Sequence, residues 1–213
     1  MQRDGLAIDM PAGPSEVCVL ADETANPAYV AADLLSQAEH GPDSQVLLVS
    51  TSAGVTEKII REKQKQLAAL PRKDVAAQAL ANSKAIITEN MSDAIALVNA
   101  YAPEHLIISC ENDEAIAEQV VNAGSVFMGN YSPESAGDYA SGTNHTLPTN
   151  GYAKMYGGVS VDSFVKKITY QKLTREGLNN IASTVISMAE AEGLQAHANA
   201  VKVRMEEGIS GKQ

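Results

Sequence analysis

The chain has 213 residues, 45% of them hydrophobic, which is enough to bury a substantial core and excludes a disordered polypeptide. With 26 acidic against 16 basic residues the formal net charge is -10, which disfavours nucleic acid or an anionic membrane as the main partner and favours a small molecule. No apolar run approaches the roughly 20 residues that span a bilayer, and Met1-Gln2-Arg3-Asp4-Gly5 opens without the apolar core of a signal peptide, so a cytoplasmic chain is expected.

Residues 1–16 run into the first apolar segment without an element of their own, which predicts the remnant of a preceding domain or an inter-domain strand. Five short runs rich in Val, Ile and Leu then read as buried strands: Glu16 to Ala21, Gln45 to Ser50, Lys84 to Thr88, His105 to Ser109 and Ser125 to Met128. Amphipathic helical stretches lie between them, at about 26–40, 53–69, 73–82, 92–101 and 112–122. Asn26 suits an N-cap, Pro27 a first turn, and Gly41-Pro42 a stop, so the first helix is expected to end at His40. Strand and helix alternating in this way predict an α/β domain over 17–159 with a mostly parallel sheet. A helical tail follows over 160–213, with helices near 174–191 and 194–207 and at most one short strand among 159–171. Its apolar positions Ile181, Val185, Met188, Ala196, Ala200 and Val203 need a partner surface, either the α/β body or another subunit. Cys18 and Cys110 lie outside any Cys-x-x-Cys spacing and read as core-strand residues.

Four polar segments can carry chemistry. In Ser36-Gln37-Ala38-Glu39-His40-Gly41, a carbonyl and an imidazole three residues apart share a helical face and can reach one ion, or simply form a polar helix terminus. Pro103-Glu104-His105 puts a carboxylate beside an imidazole at the entry of a strand, as two bases of different pKa or as a solvated loop. The stretch from Tyr131 to His145 combines Gly137 and Gly142, which permit tight backbone geometry, with Asp138 and His145 as candidate ligands. It is not a phosphate-binding P-loop, because Thr143 stands where lysine is required, and no Gly-x-Gly-x-x-Gly occurs anywhere. The last segment holds His197, a ligand or a surface residue of the tail.

The segments Ile8-Asp9-Met10-Pro11-Ala12-Gly13-Pro14-Ser15-Glu16, Leu35 to Gln45, Ala102-Pro103-Glu104-His105-Leu106 and Ser132 to His145, in that order, resemble the histidinol dehydrogenase family. The resemblance implies zinc held by Gln37, His40, Asp138 and His197, the last from a partner subunit, and hence a homodimer with a swapped tail. It implies substrate contacts from Ser15, Gln37, His40, His105, Asp138, His145, Glu192 and His197. The implied reaction is oxidation of L-histidinol through the aldehyde to L-histidine with two NAD⁺ and one water. His105 would take the alcohol proton and Glu104 would activate the water. The fold expected from the family is an incomplete Rossmann-like layer, with the NAD contacts in an amino-terminal region that this chain lacks. Two other readings stand beside it: a truncated inactive fragment that binds only zinc or histidinol, and a zinc hydrolase, which no His-Glu-x-x-His helix supports.

Overall fold

The computed structural model describes Met10, Pro11 and residues 13–206. Of the expected remnant over 1–16, most residues lie outside the described ones, and Glu16 belongs to the first strand itself.

Five parallel strands form one sheet: β1 (Glu16–Ala21), β2 (Gln45–Ser50), β3 (Lys84–Ile87), β4 (His105–Ser109) and β5 (Ser125–Met128), ordered β3-β2-β1-β4-β5. The three central strands are apolar on both faces because helices cover both. Val17, Val19, Val46, Leu48 and Ile107 pack into one core layer with Val30, Leu34 and Ile59. The alternate residues Cys18, Leu20, Leu47, Val49, Leu106 and Ile108 pack into the other with Ala94, Ile95 and Val98. A fully buried side chain of this kind contributes roughly 1.5–3 kcal/mol. The two edge strands depart from the expectation of burial, with Ile87 53% and Met128 44% exposed, since nothing among the described residues pairs with their outer edges.

The helices follow local signals. Asn26 caps α1 (Pro27–Ala38), its side chain accepting from the Ala28 N–H at 2.9 Å. This helix ends at Ala38 with Glu39 as its cap, so His40 stands just beyond the last turn rather than within it. The Ser52 side chain caps α2 (Ala53–Ala69), and α3 (Lys73–Asn82) follows directly. Asn90 caps α4 (Met91–Tyr101), which stops at the left-handed Ala102 (φ 57°) and turns the chain into Pro103-Glu104. The helix expected over 112–122 is shorter, as α5 (Asp113–Ala117). The polar stretch read as a loop contains a further helix, α6 (Glu134–Tyr139). Gly137 lies inside it and serves close packing, because a Cβ there would stand 2.5 Å from Phe127 Cε1; Gly142 does take the left-handed conformation (φ +85°). Of the cysteines, Cys18 is on β1 and Cys110 is buried one residue past β4.

The chain divides into two compact units, one reaching Val165 and one starting at Lys166. The region expected to hold at most one strand contains none among the described residues, only a 3-10 turn at Val161–Phe164. In the second unit α7 (Arg175–Ala191) and α8 (Gln195–Glu206) pack on each other, with Ala182, Ala189 and Ala198 buried. Ile181, Met188 and Val203, expected to be covered, are 42%, 61% and 41% exposed. Among the described residues no helix is long and apolar enough to cross a membrane.

Candidate active site

His40, Glu104, His105, Asp138 and His145, singled out in the sequence, converge near the amino-terminal ends of β1 and β4. Glu104 and His105 arrive there through the Ala102 turn, and parallel pairing sets Val17 opposite His105. Both are almost fully buried, at 5% and 3% exposure. Glu16, the first residue of β1, holds the pair: its N–H donates to Glu104 Oε2 at 2.9 Å, and its carbonyl lies 3.2 Å from His105 Nδ1. A carbonyl only accepts, so Nδ1 carries the hydrogen. His105 Nε2 is thereby left as the basic nitrogen, and it is buried without a partner. Two carboxylate oxygens also face Nδ1 at 3.6 Å, one from Glu104 and one from Glu134.

Glu134 and Asp138 lie four residues apart on α6 and so share a face of that helix. Their carboxylates and a ring nitrogen of His40 offer ligand atoms all within 4.8 Å of one another. Gln37, in the last turn of α1, is fully buried, yet neither its Oε1 nor its Nε2 has a hydrogen-bond partner. An unmet buried amide costs about 1–3 kcal/mol, so it marks a position built for a ligand. Oxygen and nitrogen donors of this kind fit a Zn²⁺ ion. His145 Nδ1 stands 2.8 Å from Asp138 Oδ1, with the imidazole largely exposed and the carboxylate nearly buried.

The electrostatics follow from burial. Desolvation pushes the Glu104 carboxyl up to about 7, against the opposing hydrogen bond from Glu16 N–H, and the Glu16 and Asp138 charges add to the rise. Burial also lowers His105 from its ordinary 6.5, so the usual order of carboxyl below imidazole is reversed. Glu134 is pushed up to about 8, first by desolvation and then by the nearby Asp138, Glu104 and Asp33 carboxylates. A cation among His40, Glu134 and Asp138 would relieve that crowding.

The remaining expected residues lie differently. Ser15 immediately precedes Glu16, and its carbonyl accepts from Gln45 N–H. Glu192 and His197 belong to the second unit, and both are exposed. Glu16 and Glu134 are not among the site residues expected from the sequence, though Glu16 carries a signal: a carboxylate opens an otherwise apolar buried run.

At the opposite, carboxy-terminal end of the sheet, the Asp22 carboxylate accepts from Thr24 N–H, Thr24 Oγ and Glu111 N–H, all within 2.9 Å, and bridges the loops that follow β1 and β4. That crevice, where the strand order reverses, is the usual nucleotide position in an open parallel sheet, and here the Asp22 carboxylate stands at its edge. These features define a parallel α/β domain carrying a buried carboxyl–imidazole pair beside a cluster of oxygen and nitrogen donors that could hold a metal ion.

The chain matches the histidinol dehydrogenase family model over residues 1–205, and it belongs to that family. It is 61% identical over 202 residues to the histidinol dehydrogenase of Bacteroides fragilis, covering 95% of this chain and 47% of that protein. It is 56% identical to the histidinol dehydrogenase of Vibrio parahaemolyticus, with the same coverage. The crystal structure of histidinol dehydrogenase from Elizabethkingia anophelis superposes with a TM-score of 0.95 at 58% identity, covering 97% of this chain and 48% of that one. The chain thus spans about half the length of the relatives it matches.

Proposed function

We propose that this chain forms the zinc- and substrate-holding portion of a cytoplasmic, homodimeric, NAD-dependent histidinol dehydrogenase, which oxidises L-histidinol through the aldehyde to L-histidine. The observation that carries the reading is the buried Glu104–His105 pair, held by one residue of β1 next to the His40, Glu134 and Asp138 cluster.

Gln37, His40 and Asp138 would hold zinc, with His197 supplied by the tail of a partner subunit, and Glu134 lies within reach of the same position. When bound, zinc anchors the imidazole and amino groups of the substrate. His105 Nε2 accepts the proton of the alcohol; its Nδ1–H stays on the Glu16 carbonyl, so the ring does not turn as charge develops. Glu104 takes a proton from the water that attacks the aldehyde, a role suited to a carboxyl held near neutrality. Ser15, His145 and Glu192 complete the substrate contacts. The described residues offer NAD⁺ no glycine-rich cradle, and Asp22 stands at the edge of the crevice where one would be sought. Its contacts are assigned to a region outside this chain.

Metal analysis of the purified chain and calorimetry with L-histidinol, with and without Zn²⁺, test this directly. Zinc-dependent binding near one ion per chain is expected; absence of both zinc and histidinol binding would overturn the assignment. In turnover assays on the chain completed to the length of its relatives, Glu104→Gln should spare the first oxidation and impair the second, whereas equal loss of both steps would remove Glu104 from the water-activating role. The partial span of the relatives favours one second reading, a fragment that binds without turning over. Adding the other half of a relative separates the two, since restored NADH formation supports the enzyme and continued silence supports the fragment.

A further inference from the structure

Glu16 is a buried ionisable residue to which the mechanism above gives no chemical step. It is 2% exposed and opens the most buried strand of the sheet, where an apolar side chain would extend the Val17 to Ala21 core. A carboxylate in that position is expensive unless it is bonded. The Asn150 N–H donates to it, and the Tyr101 hydroxyl, which donates to Gln45 Oε1 at 3.2 Å, stands close by. Asn150 and Gly151 are successive left-handed residues, with φ of 55° and 75°. Asparagine tolerates that conformation better than most side chains do, so this turn is built to present the Asn150 N–H to the carboxylate.

The main chain of the same residue faces the reacting groups. Its N–H is spent on Glu104 and its C=O on His105, one donor and one acceptor serving two bases of opposite need. Such main-chain groups orient side chains only as well as they are themselves held. We propose that Glu16 is a positioning residue: its side chain, clasped by the Asn150 N–H, fixes the main-chain groups that aim Glu104 and select the His105 tautomer. The proposal rests on the reading of Glu104 and His105 as the acid–base pair.

The tautomer is directly observable. In ¹⁵N-labelled chain, long-range ¹H–¹⁵N spectra of the imidazoles, with His105 assigned by its loss in His105→Asn, should show His105 as the single Nδ1–H form. Glu16→Gln, whose amide oxygen still accepts from Asn150 N–H, should keep that pattern. Glu16→Ala should lose it, giving a ring averaged between both tautomers. Glu16→Asp, one methylene short of the clasp, should do the same while leaving the fold intact, and it decides the matter if the alanine variant does not fold. In turnover assays on the chain completed to the length of its relatives, Glu16→Asp should lower kcat about tenfold or more with KM for histidinol within about twofold, and Glu16→Gln should restore most of it. A single Nδ1–H signal retained in Glu16→Asp, or a KM change that matches the kcat loss, would overturn the proposal. Should wild-type chain bind neither zinc nor histidinol, the functional reading fails while the tautomer spectra still decide the role of Glu16.

Discussion

Replacing Glu104 with glutamine should make the metal-free protein more stable, by an amount that grows with pH. Burial raises this carboxyl from 4.5 to about 7, and its side chain is only 7% exposed, so solvent screening takes little from the effect. A group raised on folding supports the folded state fully below its unfolded pKa of about 4.5, and that support is lost as pH climbs through about 7. At about 1.4 kcal/mol for each tenfold change in proton binding, ionised Glu104 costs the fold roughly 3 kcal/mol at pH 8 and roughly 1 kcal/mol at pH 5. Glutamine carries no such penalty, and its amide oxygen can still accept the 2.9 Å hydrogen bond from Glu16 N–H. Urea denaturation of both proteins in EDTA, at pH 5 and pH 8, should therefore show an advantage for Glu104→Gln that widens by about 2 kcal/mol between the two conditions. An advantage of equal size at both pH values, or a less stable variant at both, would refute the argument that desolvation governs this group. The same substitution removes the base proposed to activate water, so stability is expected to rise as the second oxidation fails.

Gln37→Leu should raise the urea midpoint of the metal-free chain, since it removes an unpartnered buried amide that costs about 1–3 kcal/mol, and should abolish zinc uptake by calorimetry. Undiminished zinc affinity would take Gln37 out of the ligand set. Gly124→Ala would place a Cβ 2.5 Å from the Glu104 carbonyl oxygen, and the forced shift should lower stability by about 1–3 kcal/mol in a thermal melt. An unchanged midpoint would mean that this approach is not tight. Leu20→Ala opens a cavity at a fully buried position between β1 and its covering helices; a loss of about 2–5 kcal/mol is expected, and a loss below about 1 would place Leu20 outside the rigid core.

The strands were legible because Val, Ile and Leu crowd into runs of four to six residues, and α1, α2 and α4 because each begins at a capping Asn or Ser. What escaped depends on contacts distant in sequence. The α6 helix is six residues long, with proline as its cap and a glycine inside, so local propensity gives no sign of it and packing against Phe127 carries it instead. Its shape brings Glu134 under His105, which explains why the sequence pointed to Asp138 and His145 and missed Glu134. The edge strands β3 and β5 have the composition of buried strands; their exposure follows from their place in the strand order, which composition does not encode. Gln37, His40, Glu104 and His105 were all visible as candidates, but the residue that joins the last two lies 88 positions earlier than Glu104 and acts mainly through its backbone.

The site's position at the amino-terminal ends of the strands gives the sheet an electrical polarity. In a parallel α/β layer the helices run back against the strands, so this end receives the carboxy-terminal turns of α1 and α4, at Gln37 and Tyr101. The free carbonyls of such turns carry partial negative charge, which attracts a metal cation or an imidazolium and repels phosphate. The opposite end gathers helix amino termini, which suit phosphate, yet Asn26, Ser52 and Asn90 cap those of α1, α2 and α4, and Asp22 adds a negative charge in front of them. One rim of this domain thus suits cations and protons, while the other sets a carboxylate in front of its helix amino termini.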